Sequence, residues 1–132
     1  MITIPTRVLA AVQRRVQEGL PVEVCGIIAG PAGQLALANR HIPLRNAAED
    51  PASAFLLDMD EQLAAYADMD LRLEDPVVLY HSHPHGPAKP SPVDIRAAGG
   101  GTTRVWLIVS PSQTRAWRFA GSSPVEIGIR AA

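Results

Sequence analysis

The chain has 132 residues and a single cysteine, so it can form neither an internal disulfide nor a thiolate-rich structural zinc site. It has no surplus of either charge: 12 Lys and Arg stand against 13 Asp and Glu, for a formal net charge of -1. That balance supplies nothing to neutralise phosphates or anionic lipid, and neither nucleic acid nor a membrane is the expected partner. No apolar run approaches the roughly 18 residues of a membrane span, and no charged-then-apolar leader opens the chain. The expected location is the cytoplasm. Charged residues make up 19% and hydrophobic residues 47%, too little charge for a disordered chain and enough apolar surface for a core. The expectation is one domain over residues 1–132.

Ile2-Thr3-Ile4 is a short strand candidate, and Val8, Val12 and Val16 follow at helical spacing. The spacing predicts a helix from Pro5 or Thr6 to Gly19, stopped by the left-handed conformation open to glycine and by Pro21. Val22 to Gly30 and Leu35 to Leu44 predict a hairpin turned at Pro31-Ala32-Gly33-Gln34. Leu56, Met59, Leu63, Tyr66 and Leu73 predict a second helix over about Asp58 to Leu73. Val77 to His83 opens with an apolar run suited to a central strand, and Pro84 ends it. Prolines 84, 87, 90 and 92 fix many φ angles and make the next loop stiff. Ser91 is a good N-cap for a short helix from Pro92 to Ala98, terminated by Gly99-Gly100-Gly101. Three further strands are expected at Arg104–Val109, Arg115–Phe119 and Val125–Ile129. The sum is an α/β (α+β) fold, a central mixed β-sheet flanked by helices.

Residues two apart on a strand share a face, so His81 and His83 can present both imidazoles to one point while Ser82 faces away. Asp94, eleven positions after His83, sits in the first turn of the short helix and can complete a ligand set. Two histidines and one aspartate leave the fourth position of a tetrahedral Zn²⁺ open, the catalytic pattern. A water on such an ion has its pKa lowered to about 7, and the remaining need is a proton carrier. Glu23 is the candidate, since partial burial at the head of an apolar strand would raise its pKa toward neutrality. Ser91 can place a hydroxyl near the metal for an oxyanion.

These residues resemble the JAMM, or MPN-plus, zinc metalloproteases, the JAB-domain family, in its compact prokaryotic form. The motif is a distant glutamate, here Glu23, then His81-x-His83 with Pro84 directly after it, then Ser91 and, after two residues, Asp94. At about 5% usage per required residue, a chance match in this chain is on the order of one in 10⁴ to 10⁵. The likeness extends to Glu23-Val24-Cys25-Gly26 and the 46–55 stretch, covering most of the chain from about Pro21 to Val109. It implies a cytidine-deaminase-like sheet architecture and peptidase or isopeptidase chemistry. It also implies one zinc on His81, His83 and Asp94, Glu23 as general base and then acid, and Ser91 supporting the oxyanion. Deaminase activity is not expected, because the Pro-Cys-x-x-Cys pair is missing.

The stretch after Ala98 leaves little room for the insertion with which larger relatives clamp ubiquitin. The resemblance therefore points to the C-terminal Gly-Gly tail of a ubiquitin-like sulfur carrier protein as substrate, taken as an added strand on a free sheet edge. Two other readings stand beside it: a metal-free MPN-type scaffold, and a metallohydrolase of a small peptide-like metabolite. Blander readings apply elsewhere. His41 is read as a strand or edge residue, His85 as a candidate substrate contact, and Cys25 as a small core residue. Trp106 and Trp117 are read as core, with Trp106 a candidate floor of the groove. Arg14 and Arg15 are read as a solvated helix face, and Arg96 as either a salt-bridge partner or a substrate contact. Exposed valines on the first helix could form a homodimer face.

Overall fold

The computed structural model describes residues 1–98 and 104–132. The elements in chain order are β1 (Ile2–Ile4), α1 (Thr6–Gly19), β2 (Cys25–Pro31), β3 (Arg40–Leu44), α2 (Met59–Leu71), β4 (Glu74–Ser82), α3 (Pro92–Ala98), β5 (Val105–Val109), β6 (Thr114–Ala120), β7 (Ser123–Ile127) and β8 (Ile129–Ala131). The main sheet has six strands in the order β3-β2-β4-β5-β6-β7. Its β4–β5 pair is parallel and its other pairs are antiparallel. β1 and β8 form a separate parallel pair.

Neighbouring apolar residues on the inner strands point to opposite faces and build two cores. Ile28, Val78, Tyr80, Leu107 and Val109 pack with Val8, Val12 and Val16 of α1. Ile27, Leu79, Trp106 and Phe119 pack with Ala65 and Met69 of α2. The expected mixed sheet between helices is what the chain builds. No described helix is long and apolar enough to cross a membrane.

Several local expectations are corrected. The α1 valines are at most 2% exposed and face the sheet, so they offer no dimer face. Gly19 does end α1, but it lacks the positive φ of Gly33, Gly86 and Gly121. It is small because a Cβ there would lie 2.5 Å from the Val24 side chain. The second strand of the hairpin starts only at Arg40, because Ala36 and Ala38 bond instead to Thr3 of β1. On α2 the burying face is Ala65 and Met69, whereas Leu56, Met59, Leu63 and Leu73 are all more than half exposed. The small Ala65 is what packs into the second core. The helix stops at Leu71, and Leu73 takes φ 56° to turn the chain into β4. Gly99, Gly100 and Gly101, expected to stop α3, lie outside the described residues.

Arg14 is exposed as expected, but Arg15 is not a solvated side chain. Its guanidinium reaches under the sheet to donate to Cys25 O (2.5 Å), Tyr80 Oη (3.0 Å) and Leu44 O (2.8 Å). His41, on edge strand β3 as expected, bonds the same Tyr80 hydroxyl at 2.6 Å. Burial first, and the Arg15 charge second, bring the His41 pKa down to about 4. Gly26 makes room for the network: a Cβ there would lie 2.6 Å from Tyr80 Oη and 2.7 Å from Ile42 O.

Candidate metal centre and active site

β4 ends inside the molecule, and its last turnable residues carry the chemistry. His81 is fully buried, while Ser82 faces the other way and ties β4 to the chain before β2: its Oγ accepts from Val24 N at 2.8 Å and its N–H donates to Val24 O at 2.9 Å. His83 lies just past the strand, its N–H held by Val109 O of β5 at 2.9 Å. The stiff loop then folds back, and Pro87 O accepts from His83 Nδ1 at 2.8 Å. This bond fixes the tautomer and leaves His83 Nε2 as the bare nitrogen.

α3 supplies the third donor through its own cap. Ser91 Oγ accepts from Asp94 N at 3.1 Å, and Asp94 Oδ2 accepts from Ser91 N at 2.9 Å. This reciprocal capping box aims the carboxylate at the histidines. His83 Nε2 lies 3.0 Å from Asp94 Oδ2, His81 Nε2 lies 3.2 Å from Asp94 Oδ1, and the two Nε2 atoms are 3.2 Å apart. One donor atom from each residue lies within 4.8 Å of the others.

The electrostatics fit a cation. Burial lowers the His81 pKa and keeps that ring neutral. Burial pulls His83 down as well, but the bonds to Asp94 and to the Pro87 carbonyl outweigh it and raise its pKa. Burial alone would raise Asp94, yet the two histidines hold it well below the usual carboxylate range. With Nδ1 of His83 committed to Pro87, its Nε2 lone pair faces a carboxylate and a second imidazole nitrogen, an arrangement that a proton or a metal ion relieves. Two imidazole nitrogens and one carboxylate oxygen are donors that suit Zn²⁺.

Glu23 lies just before β2 and is 9% exposed. Burial pushes its carboxyl up to about 7, against a lowering by His83, with Asp94 adding to the rise. The expected perturbation and its expected cause are both present. Glu23, His83, Ser91 and Asp94 line one cavity of about 790 Å³. His85 and Lys89 of the proline loop, Phe55, Leu57 and Met59 before and on α2, and Trp106 also line it. Trp106 is thus both core and cavity wall. Cys25 is fully buried, as expected, with Sγ 3.7 Å from Leu44 O. Arg96 is exposed on α3 and has no ion pair among the described residues.

Two residues that bound the 46–55 stretch of the family likeness take part in the site, though the sequence assigned neither a role. Phe55 stacks on the His81 ring with centroids 4.3 Å apart and planes at 19°. Asn46 makes three hydrogen bonds within the loop between β3 and α2 and a fourth to Glu23 O, just before β2.

A mixed sheet between helices holds two imidazoles and a carboxylate within 4.8 Å of one another, and His83 and Asp94 of that group line one cleft with Glu23. Residues 5–120 match the family model for prokaryotic homologs of the JAB domain, and the chain belongs to that family. Among similar proteins is the CysO-cysteine peptidase of Mycobacterium tuberculosis, 44% identical over 78 residues, covering 59% of this chain and 52% of that one. A Thermus thermophilus protein named as a probable TtuB-protein conjugate cleaving protease is 33% identical over 98 residues, covering 74% and 64%. A Desulfitobacterium hafniense protein of known solution structure superposes with a TM-score of 0.87 at 29% identity, covering all of this chain and 93% of the other. The chain spans about half the length, 52%, of the first of these curated relatives.

Proposed function

We propose that this protein is a zinc-dependent peptidase that hydrolyses the amide bond at or after the C-terminal Gly-Gly of a ubiquitin-like sulfur carrier protein. The observation that carries the reading is the convergence of His81 Nε2, His83 Nε2 and the Asp94 carboxylate, with Glu23 lining the same cleft as His83 and Asp94. His81, His83 and Asp94 would hold the ion, one per chain. When bound, zinc would polarise the scissile carbonyl and acidify a water.

The chain's own residues do the rest. Glu23, with a pKa near neutrality, takes a proton from the attacking water and returns it to the leaving amine as the C–N bond breaks, giving a carboxylate and a free amine. Ser91 Oγ accepts from Asp94 N, which leaves its own hydrogen to donate to the oxyanion. The cavity wall offers a main-chain edge. Leu57 pairs with Asn46, while the bonds on either side run from Ala47 N to Leu56 O and from Asp58 N to Arg45 O. In such a pair the N–H and C=O of Leu57 point away from Asn46. A Gly-Gly tail, which has no side chains to recognise, gains affinity from a backbone edge of this kind. The relatives named for CysO-cysteine and for TtuB-protein conjugates support a macromolecular acyl donor over a free metabolite.

The test is Glu23→Gln, assayed with a carrier protein joined through its Gly-Gly terminus to cysteine. The expected result is one zinc per chain and a loss of turnover on the order of 10²–10⁴-fold. Wild-type turnover in this variant would refute the role of Glu23. Equal rates on the conjugate and on its isolated C-terminal peptide would refute recognition of the carrier body.

A further inference from the structure

We propose that Asn46 is a positioning residue whose one side-chain amide sets Glu23 and the substrate-facing segment 54–57 in register. Its Nδ2 donates to Glu23 O and to Ala54 O, both at 2.9 Å. Its Oδ1 accepts from Ala48 N and Leu56 N, both at 3.0 Å. A primary amide has two N–H donors and two acceptor lone pairs, so its full capacity is spent on main-chain atoms of three separate stretches. The same loop takes the other polar group of Glu23, whose N–H donates to Pro51 O at 2.7 Å. Both main-chain handles of Glu23 therefore end on the segment that Asn46 organises. Beyond it, Phe55 stacks on His81 and Leu57 presents the open edge.

Asn46 touches none of the three metal-site side chains. Its effect on kcat runs through the placement of Glu23, where a displacement of about 1 Å can cost on the order of 10²-fold in rate, while its hold on segment 54–57 bears on KM. The inference rests on reading Glu23 as the proton-transfer group.

The test uses zinc-loaded protein and a peptide ending in Gly-Gly joined to a fluorogenic amine. Asn46→Asp keeps both acceptor contacts but sets an oxygen against the carbonyls of Glu23 and Ala54. Per folded, zinc-loaded molecule, kcat should fall about tenfold or more while zinc content holds. In a Glu23→Gln background the same substitution should change residual kcat by less than about twofold, because the group it positions is already disabled. A merely structural role predicts undiminished kcat per loaded molecule, or the same loss in both backgrounds, and either result overturns the proposal. Asn46→Ser, with a single short hydroxyl, carries the same comparison if Asn46→Asp does not fold. Full turnover by Glu23→Gln alone would overturn the reading of Glu23 and this inference with it, an outcome that the Asn46 single variants cannot produce.

Discussion

Replacing Arg15 with methionine should destabilise the fold far more than the same change at its neighbour Arg14. Methionine preserves most of the aliphatic stem and deletes the guanidinium, removing its bonds to Cys25 O, Tyr80 Oη and Leu44 O. Cys25 and Tyr80 are fully buried and Leu44 is 3% exposed, so water cannot simply take over those acceptors. Hydrogen bonds from a charged donor contribute roughly 1.5–3 kcal/mol each, which gives a gross loss of about 4.5–9 kcal/mol for three. The loss is offset because Tyr80 Oη keeps His41 as partner and because the freed arginine rotamers had cost about 2 kcal/mol to order. A net cost near 3 kcal/mol remains. At a urea m-value of about 1.5 kcal/mol/M, the midpoint should move down by about 2 M. Arg14→Met, at an exposed position, should stay within about 0.5 kcal/mol of wild type. The His41 pKa, brought to about 4 by burial and then by the Arg15 charge, should rise in an NMR titration of Arg15→Met. A midpoint shift matching that of Arg14→Met, with His41 unmoved, would refute the buried role of Arg15.

Glu23 carries a stability cost with a definite sign. Its carboxyl is raised from 4.5 to about 7, so the unfolded chain releases this proton first and stability falls as pH rises from 4.5 to 7. The full shift corresponds to about 3.4 kcal/mol, which we halve to about 1–2 kcal/mol because the carboxylate opens on a hydrated cleft. Chelator-treated Glu23→Gln should thus melt higher than wild type at pH 8 and no higher at pH 5; equal melting at both would contradict the burial of this charge. In the loaded enzyme kcat/KM should rise with pH along an acid limb at or below pH 7, and a flat profile from pH 4 to 8 would exclude Glu23 as the base. Ser91→Ala removes the Oγ half of the capping box, which accepts from Asp94 N, and keeps the Ser91 N–H bond to the Asp94 carboxylate; it should cost about 1 kcal/mol in thermal stability, together with weaker zinc retention against a chelator. Unchanged retention would separate the cap from the metal site. Gly26→Ala should cost about 1–3 kcal/mol through overpacking, read as a lower urea midpoint, because its methyl meets Tyr80 and the Ile42 carbonyl; a neutral effect would mean that the Tyr80 ring can shift freely.

The strands and helices were readable where the pattern was local. The β-branched apolar run of β4 and the valine spacing of α1 each allow one burial pattern; α1 forms where expected, and β4 runs from Glu74 to Ser82 rather than from Val77 to His83. The spacing of Met59, Leu63 and Tyr66 marks an apolar stripe on α2, but the sheet takes Ala65 and Met69 with Tyr66 packed beside them, and Met59 and Leu63 stay exposed. Periodicity finds a stripe, and only the partner surface decides which stripe is buried. Arg15 was misread for a related reason: a long side chain on a helix can reach an acceptor that belongs to strands up to 65 positions away, which spacing cannot reveal.

The amino-acid sequence alone determined the donor types and the local geometry of Asp94. A serine three before an aspartate at a helix start builds a capping box, which follows from the helix period, whereas His83 lies just past β4 and is held facing His81 by the Val109 and Pro87 carbonyls rather than by a strand period. Tertiary structure alone decided that Glu23 lines one cleft with His83 and Asp94, that Pro87 sets the tautomer of His83, and that Asn46 ties its loop to Glu23. Those contacts join residues brought together by sheet order and loop path, and hydrogen bonds between distant segments leave no periodic trace in a single chain.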